Sequence, residues 1–290
     1  MKFGIHFSLG VGMRPSAADY IRIAQRAEEL GYHSAWLGDH IVIPEKIESA
    51  YPYTPDGSAS FPRRLPFPDP FVLLAGIAAS TQTIQIGTSV IVVPYRNPLH
   101  VAKAVATLDM VANGRFQFGV GVGWLAEEFE ALGETFSERG SRTREYLRLM
   151  KAIWTDEAAS FEGRYFSFPD LYAQPLPVQK PHPPIIFGGE SLPALKRVAD
   201  LGEGWQPGPI PLDALRERTE RLRALMAERG RDFSQLAFSM MADGRDLKDN
   251  PDRLSQLEEI GVQELVLSMA DVDTEKTLAR LEDNARAFLS

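Results

Sequence analysis

The chain has 290 residues, 44% of them hydrophobic, with 31 basic and 39 acidic side chains giving a formal charge of −8, and no cysteine. That size can bury a large core and suits one α/β barrel, expected as a single domain over 1–290. No concentrated basic face is present to bind nucleic acid, disulfides and thiolate catalysis are excluded, and no run of about 18 apolar residues offers a membrane span, so a soluble, cytoplasmic protein is expected.

KFGIHFS (2–8) reads as a first strand, and Ser16-x-x-Asp19 opens a helix that stops at Gly31. SAWLG (34–38) is a second strand, followed by a Pro- and aromatic-rich insertion over 44–69. A helix over 70–80 leads into IQIGTSVIVV, whose β-branched density predicts a third, fully buried strand. Helix 98–112 ends at Asn113-Gly114, RFQFGVGV is the fourth strand, and a loop containing AEEFEALGETFSERG precedes helix 141–154. A second insertion, 156–184, is expected to hold a small hairpin. PIIFGG is the fifth strand with helix SLPALKRVADLG behind it, and GWQPG (204–208) is a weak sixth, placed by the helix at 211–229. LAFSMMA (236–242) is the seventh, Asn250-Pro251 opens a helix ending at Gly261, VQELVLSM (262–269) is the eighth, and a last helix covers 274–289. Eight strands, each followed by a helix, predict a (β/α)8 TIM barrel with insertions after strand 2 and around helix 4 and strand 5.

Barrel chemistry sits where the C-terminal ends of the strands converge, and Asp39-His40 stands at such an end. Either Asp39 caps a turn and His40 bonds within the loop, or His40 moves a proton, since imidazole titrates near neutrality. GVGVGW (119–124) is not a dinucleotide fingerprint, because the third glycine would have to stand at Trp124 or Ala126. Its glycines either bring backbone close to a flat ligand, with Trp124 at the rim, or relieve crowding inside the barrel. Glu127 and Glu128 could serve the site, although a solvated face is the expected role for at least one. GGES (188–191) joins a strand end to the Ser191 N-cap; it reads either as an anion site at a helix start or as an ordinary turn. The scattered His6, His33, His40, His100 and His182 give zinc no support, and Arg63 and Arg64 could contact an anionic cofactor tail or simply be solvated.

The strand end Trp36-Leu37-Gly38-Asp39-His40, the segment GTSVIVVPYRNP, the run LDMVANGRFQFGVGVGW, the loop FxxLGxxFxxR (129–139) with the helix ending Ile153-Trp154, and PIIFGGES followed by GEGW together resemble the luciferase-like monooxygenase superfamily. Within it the sequence is most similar to the coenzyme F420-dependent oxidoreductase branch. The resemblance implies a barrel binding the deazaflavin F420, or alternatively FMN, at the mouth. It implies His40 as the acid/base and a cofactor contact, and Asp39 as a further cofactor contact. It also implies a non-proline cis peptide at Ser89 and Val90 behind the ring, Gly188, Gly189 and Ser191 at the phosphate, and Gly121, Gly123 and Trp124 nearer the ring and its tail.

Trp124 stands where sugar-phosphate dehydrogenases of this branch carry a glutamate, which argues against a glucose-6-phosphate reaction. The insertion aromatics Tyr51, Tyr53, Phe61, Phe67, Phe166 and Tyr172 favour an apolar or planar small-molecule substrate, unless they only pack the insertions onto the barrel. The expected function is hydride transfer between F420 and a small organic molecule. Alternatives are a reduced-flavin (FMN) monooxygenase and a non-catalytic cofactor-binding protein, and a homodimer is the expected assembly.

Overall fold

The computed structural model describes residues 1–8, 14–52, 54, 56–58, 65–269, 271 and 273–289. Tyr53, Phe61, Arg63 and Arg64 of the first insertion lie outside them. The strands are β1 (Lys2–His6), β2 (Ser34–Leu37), β3 (Gln85–Thr88), β4 (Ile91–Val92), β5 (Phe116–Gly121), β6 (Ala159–Glu162), β7 (Ser167–Leu171), β8 (Ile185–Gly188), β9 (Gly204–Gln206), β10 (Ala237–Ala242) and β11 (Glu264–Ser268). Among the described residues, eight parallel strands run β1-β2-β3-β5-β8-β9-β10-β11, and β11 closes on β1. This is the (β/α)8 TIM barrel. The hairpin β6–β7 is antiparallel and sits in the second insertion.

Between the strands run α1 (Ala17–Glu29), α2 (Pro70–Ser80), α3 (Pro98–Val111), α4 (Ala126–Ala131), α5 (Arg139–Thr155), α6 (Leu192–Leu201), α7 (Leu212–Ala227), α8 (Gly244–Asp249), α9 (Asp252–Ile260) and α10 (Thr274–Phe288). Local chemistry sets their ends. Ser16 and Asp19 form the expected capping box of α1, and Gly31 turns the chain away at φ 86°. Two elements depart from the sequence reading. The segment after the β5 glycines is not wholly loop, because AEEFEA forms α4. Before α9 a short α8 intervenes, since the Asp243 carboxylate caps the Arg245 amide at 2.7 Å and starts a helix there first.

The third strand is also not continuous. It leaves the ladder after Thr88 and resumes at Ile91, with a cis peptide bond between Ser89 and Val90. Glycine on the neighbouring strand makes this path possible: a Cβ at Gly119 would lie 1.6 Å from the Thr88 carbonyl oxygen, and one at Gly121 2.6 Å from a Val90 methyl.

The core has three parts, one of them Val92, Tyr95 and Phe129 beside α4. An outer shell fills the space between strands and helices, and a small plug of Trp36, Ile186 and Val266 fills the barrel axis. Gly87 leaves room for the Trp36 ring, whose Nε1 donates to Ser34 Oγ at 2.6 Å; Ser34 in turn donates to the buried Glu264 carboxylate. Nearer the C-terminal ends the lining turns polar. Ser89 Oγ donates to Gln206 Oε1 at 2.6 Å, and Gln206 Nε2 donates to Ser239 Oγ at 3.1 Å. An apolar plug under a polar floor gives the mouth a closed base.

Candidate active site at the barrel mouth

Beyond the tip of β2, His40 Nδ1 lies 2.7 Å from Glu128 Oε2. Glu128 is fully buried on α4 and accepts three further hydrogen bonds: from the Ile41 amide at 2.7 Å, the Val42 amide at 3.1 Å and the Tyr95 hydroxyl at 2.9 Å. Burial pushes this carboxyl up, but the His40 hydrogen bond and charge, with the Val42 and Ile41 amides, hold it below the usual carboxylate range. An ionised carboxylate only accepts, so the proton of this contact belongs to His40 Nδ1. Phe67 and Trp124 pack edge-on to the imidazole with centroids 5.0 and 6.3 Å away, and Tyr51 stands 5.0 Å from Trp124. The first insertion thus reaches the histidine with aromatic surface.

Glu128 answers one open question of the sequence, and Glu127 the other. Neither forms a solvated face: Glu127 accepts from the Glu48 and Ser49 amides at 2.6 and 2.9 Å and from the Ser49 hydroxyl at 2.7 Å, which ties the first insertion to α4.

The Asp39 carboxylate is fully buried and engaged by the protein itself. Arg96 grips it with Nη1 at 2.6 Å and Nη2 at 2.8 Å, and the Val92 amide donates to it at 3.0 Å. This bidentate pair binds the tip of β2 to the chain following β4. Arg96 was not singled out from the sequence; the only signal was its place in PYRNP.

The other positions singled out from the sequence lie on the following elements. Ser89 and Val90 lie at the break between β3 and β4, Gly121 ends β5, and Gly188 ends β8, where an added Cβ would meet a Val90 methyl at 3.0 Å. Gly123, at φ 80°, leaves no room for a Cβ between Val92 and Phe129, with distances of 2.7 and 2.9 Å. Of the two readings of these glycines, the one seen directly is relief of crowding, at the rim of the barrel.

Gly189 turns at φ 86° into Ser191, whose hydroxyl caps α6 by accepting the Ala194 amide at 3.4 Å. Glu190 is half-buried, with Oε2 unpartnered among the described residues, and burial pushes its carboxyl up, which weakens its conflict with an anion at this turn. Beside the turn is a feature the sequence reading missed. Arg197 on α6 is only 7% exposed, and among the described residues no hydrogen bond or ion pair holds it. Burial first, then the like charges of Arg144 and Arg139, push its guanidinium down to about 10. Its Nη1 would lie 3.4 Å from a Cβ at Gly140, in the first turn of α5, whose N-terminus has no side-chain cap. Arg139 stands on the same turn and donates to the Gly123 carbonyl at 3.2 Å. Arg197 is thus a buried cation among cations, with its head against the first turn of α5. No cluster of His, Asp and Glu able to hold a metal occurs among the described residues, and no described helix is long and apolar enough to cross a membrane.

Known proteins are similar to this chain in sequence. An uncharacterized protein of Mycobacterium tuberculosis is 33% identical over 284 residues, covering 97% of this chain and 96% of that protein. The F420-dependent glucose-6-phosphate dehydrogenase of Amycolatopsis mediterranei is 32% identical over 208 residues, covering 68% of this chain and 56% of the enzyme. The FMNH(2)-dependent dimethylsulfone monooxygenase of Pseudomonas putida is 31% identical over 157 residues, covering 53% and 43% respectively. The family model described as luciferase-like monooxygenase matches residues 1–243, and the chain belongs to that family.

Proposed function

We propose that this protein is an oxidoreductase that transfers a hydride between coenzyme F420 and a small apolar or planar substrate, with His40 donating or accepting the accompanying proton. The observation that carries this reading is the Glu128–His40 pair at the mouth. Glu128 fixes the ring orientation and tautomer, so that Nε2 is the nitrogen which exchanges a proton with substrate. The residues present fit a phosphate-bearing planar cofactor: Arg197, which has no partner among the described residues, would with Arg139 and Arg144 hold the phosphate beside Gly188, Gly189 and Ser191. Gly121, Gly123 and Trp124 would line the ring and its tail, and Ser89 and Val90 would back it. Asp39 acts in this reading mainly through Arg96, keeping the β2 tip in register. When bound, the deazaflavin supplies hydride chemistry; the protein supplies orientation and the proton.

A reduced-FMN monooxygenase is the second reading, favoured by the Pseudomonas putida relative. The protein is further proposed to work as a soluble cytoplasmic homodimer, which light scattering on the purified protein would check. Spectral titration of the purified protein with F420 and with FMN separates the two cofactors, and retention of FMN alone sinks the first reading. His40→Ala is expected to keep cofactor affinity within about threefold while turnover falls by a factor of about 10² to 10⁴, the usual worth of a positioned acid or base. Unchanged turnover in this variant removes His40 from the chemistry.

A further inference from the structure

An ionised carboxylate has about four acceptor sites, and at Glu128 every one of them meets a donor. Oε1 takes the amides of Ile41 and Val42 at 2.7 and 3.1 Å; Oε2 takes His40 Nδ1 at 2.7 Å and the Tyr95 hydroxyl at 2.9 Å. The imidazole therefore shares one oxygen with a phenol. Tyr95 is 6% exposed, and its ring stands edge-on to Phe129 of α4 at 4.6 Å. Burial first, then the charge of Glu128 and the hydrogen bond to it, push the Tyr95 hydroxyl up, so it keeps its proton and donates it here.

Tyr95 ends the short turn Val93–Tyr95, and this turn braces His40 from both sides. Val92 and Arg96, which flank the turn, grip Asp39, the residue before His40. Tyr95 itself reaches Glu128, which pins the amides of the residues after His40. Each donor on a carboxylate lowers its affinity for a further proton. The Tyr95 O–H also turns its positive end toward the very oxygen that would have to receive a proton from His40. A carboxylate filled in this way orients the ring without taking its proton.

We infer that Tyr95 is a positioning residue of the proposed reaction: by filling the remaining acceptor site of Glu128 Oε2, it keeps the His40 proton on Nδ1 and confines exchange with substrate to Nε2. The inference rests on the reading of His40 as the proton carrier, and Tyr95 acts in it only through Glu128.

The test compares the full-length chain with Tyr95→Phe, which keeps the ring against Phe129 and removes the hydroxyl alone. With Oε2 no longer shared, the bond from His40 Nδ1 tightens. Its proton resonance, read by NMR in the cofactor-free protein and identified by its loss in His40→Ala, should move downfield. The charged groups facing Tyr95 are Glu128, Asp39 and Arg96, and none of them is altered. A carboxylate with one donor fewer favours the imidazolium more strongly, so the acid limb of turnover against pH should move up by about half a unit or more. Both shifts should vanish when Tyr95→Phe is added to Glu128→Gln; Tyr95→Phe decides alone should Glu128→Gln not fold. An unmoved resonance, or an unmoved limb with turnover intact, makes Tyr95 a packing residue and overturns the inference, as does a shift of equal size in the Glu128→Gln background. Absence of any turnover with F420 counts against the proposed function instead, because the resonance is read without cofactor.

Discussion

At the level of single residues, this molecule keeps buried charge in two different ways. Asp39 and Glu128 are fully buried acids whose oxygens are all spoken for, by Arg96 and Val92 in one case and by His40, Ile41, Val42 and Tyr95 in the other. Arg197 is the opposite, a buried cation with no hydrogen bond or ion pair among the described residues. Replacing it with methionine keeps the bulk and removes the unpaired charge, so Arg197→Met should raise stability by about 1–3 kcal/mol, a few degrees in thermal midpoint. Cofactor affinity should fall at least tenfold in the same variant. If the midpoint drops and affinity is unchanged, Arg197 is a packing residue and the anion subsite is lost. Of these residues, His40 and Asp39 were legible because two polar side chains end an apolar strand. Glu128 was only half legible, since AEEFEA is too short for periodicity to separate helix from loop. A signal for Arg197 did exist: it stands three residues after Ala194 in SLPALKRVADLG, on the stripe that becomes buried.

At the level of elements, strand contacts depend on glycines whose roles differ in severity. Gly119 faces main chain, since its Cβ would fall 1.6 Å from the Thr88 carbonyl oxygen, whereas a Cβ at Gly188 would meet only a Val90 methyl at 3.0 Å. Gly119→Ala should therefore prevent soluble expression or cost well over 3 kcal/mol, and Gly188→Ala should be tolerated within about 1–2 kcal/mol; urea titration of the two variants checks the order. The first insertion depends on acids instead. Burial raises the Glu127 carboxyl, but the Glu48 amide and the Ser49 hydroxyl and amide outweigh it and hold it at about 2. A carboxyl held lower in the folded state stabilises fully above its unfolded value, about 4.3, and the contribution is lost as pH falls through the folded one. Glu127→Gln should thus lower the thermal midpoint by about 2–4 °C at pH 7. That gap should narrow progressively as pH falls below about 4.3, and a gap constant from pH 7 to pH 3 would contradict the anchoring. Strands β3 and β4 show what periodicity alone leaves out: IQIGTSVIVV has one continuous β-branched pattern, and only the family resemblance marked Ser89 and Val90, where the cis peptide bond falls.

For the molecule as a whole, closure comes last along the chain. The family match stops at residue 243, but β11 pairs with β1 through five residues, Lys2 with Glu264 to His6 with Ser268. Val266 also completes the axial plug with Trp36 and Ile186, and Glu264 takes the Ser34 hydroxyl. A chain ended after Gly261 leaves both β1 and β10 with an open edge and a hole at the axis, so it should show no cooperative thermal transition and should bind a hydrophobic dye. A sharp melt from that fragment would show that the barrel does not need its eighth strand. The barrel itself was readable from the alternation of eight strand and helix patterns, because each unit repeats the same physical demand for a buried strand and a one-sided helix. What the pattern could not carry was contact between distant segments, such as α4 with the first insertion or α5 with α6, where sequence separation hides the partner.

The way the two insertions are held has a consequence for how this protein can change over time. Glu127 and Glu128 take the main-chain amides of Glu48, Ser49, Ile41 and Val42, and Glu145 takes those of Arg164, Tyr165 and Phe166 beside the hairpin. Every residue type except proline offers that same amide. Side chains over the mouth can therefore be exchanged, and substrate preference can drift, while the acids on the barrel keep their grip on whatever chain is presented to them.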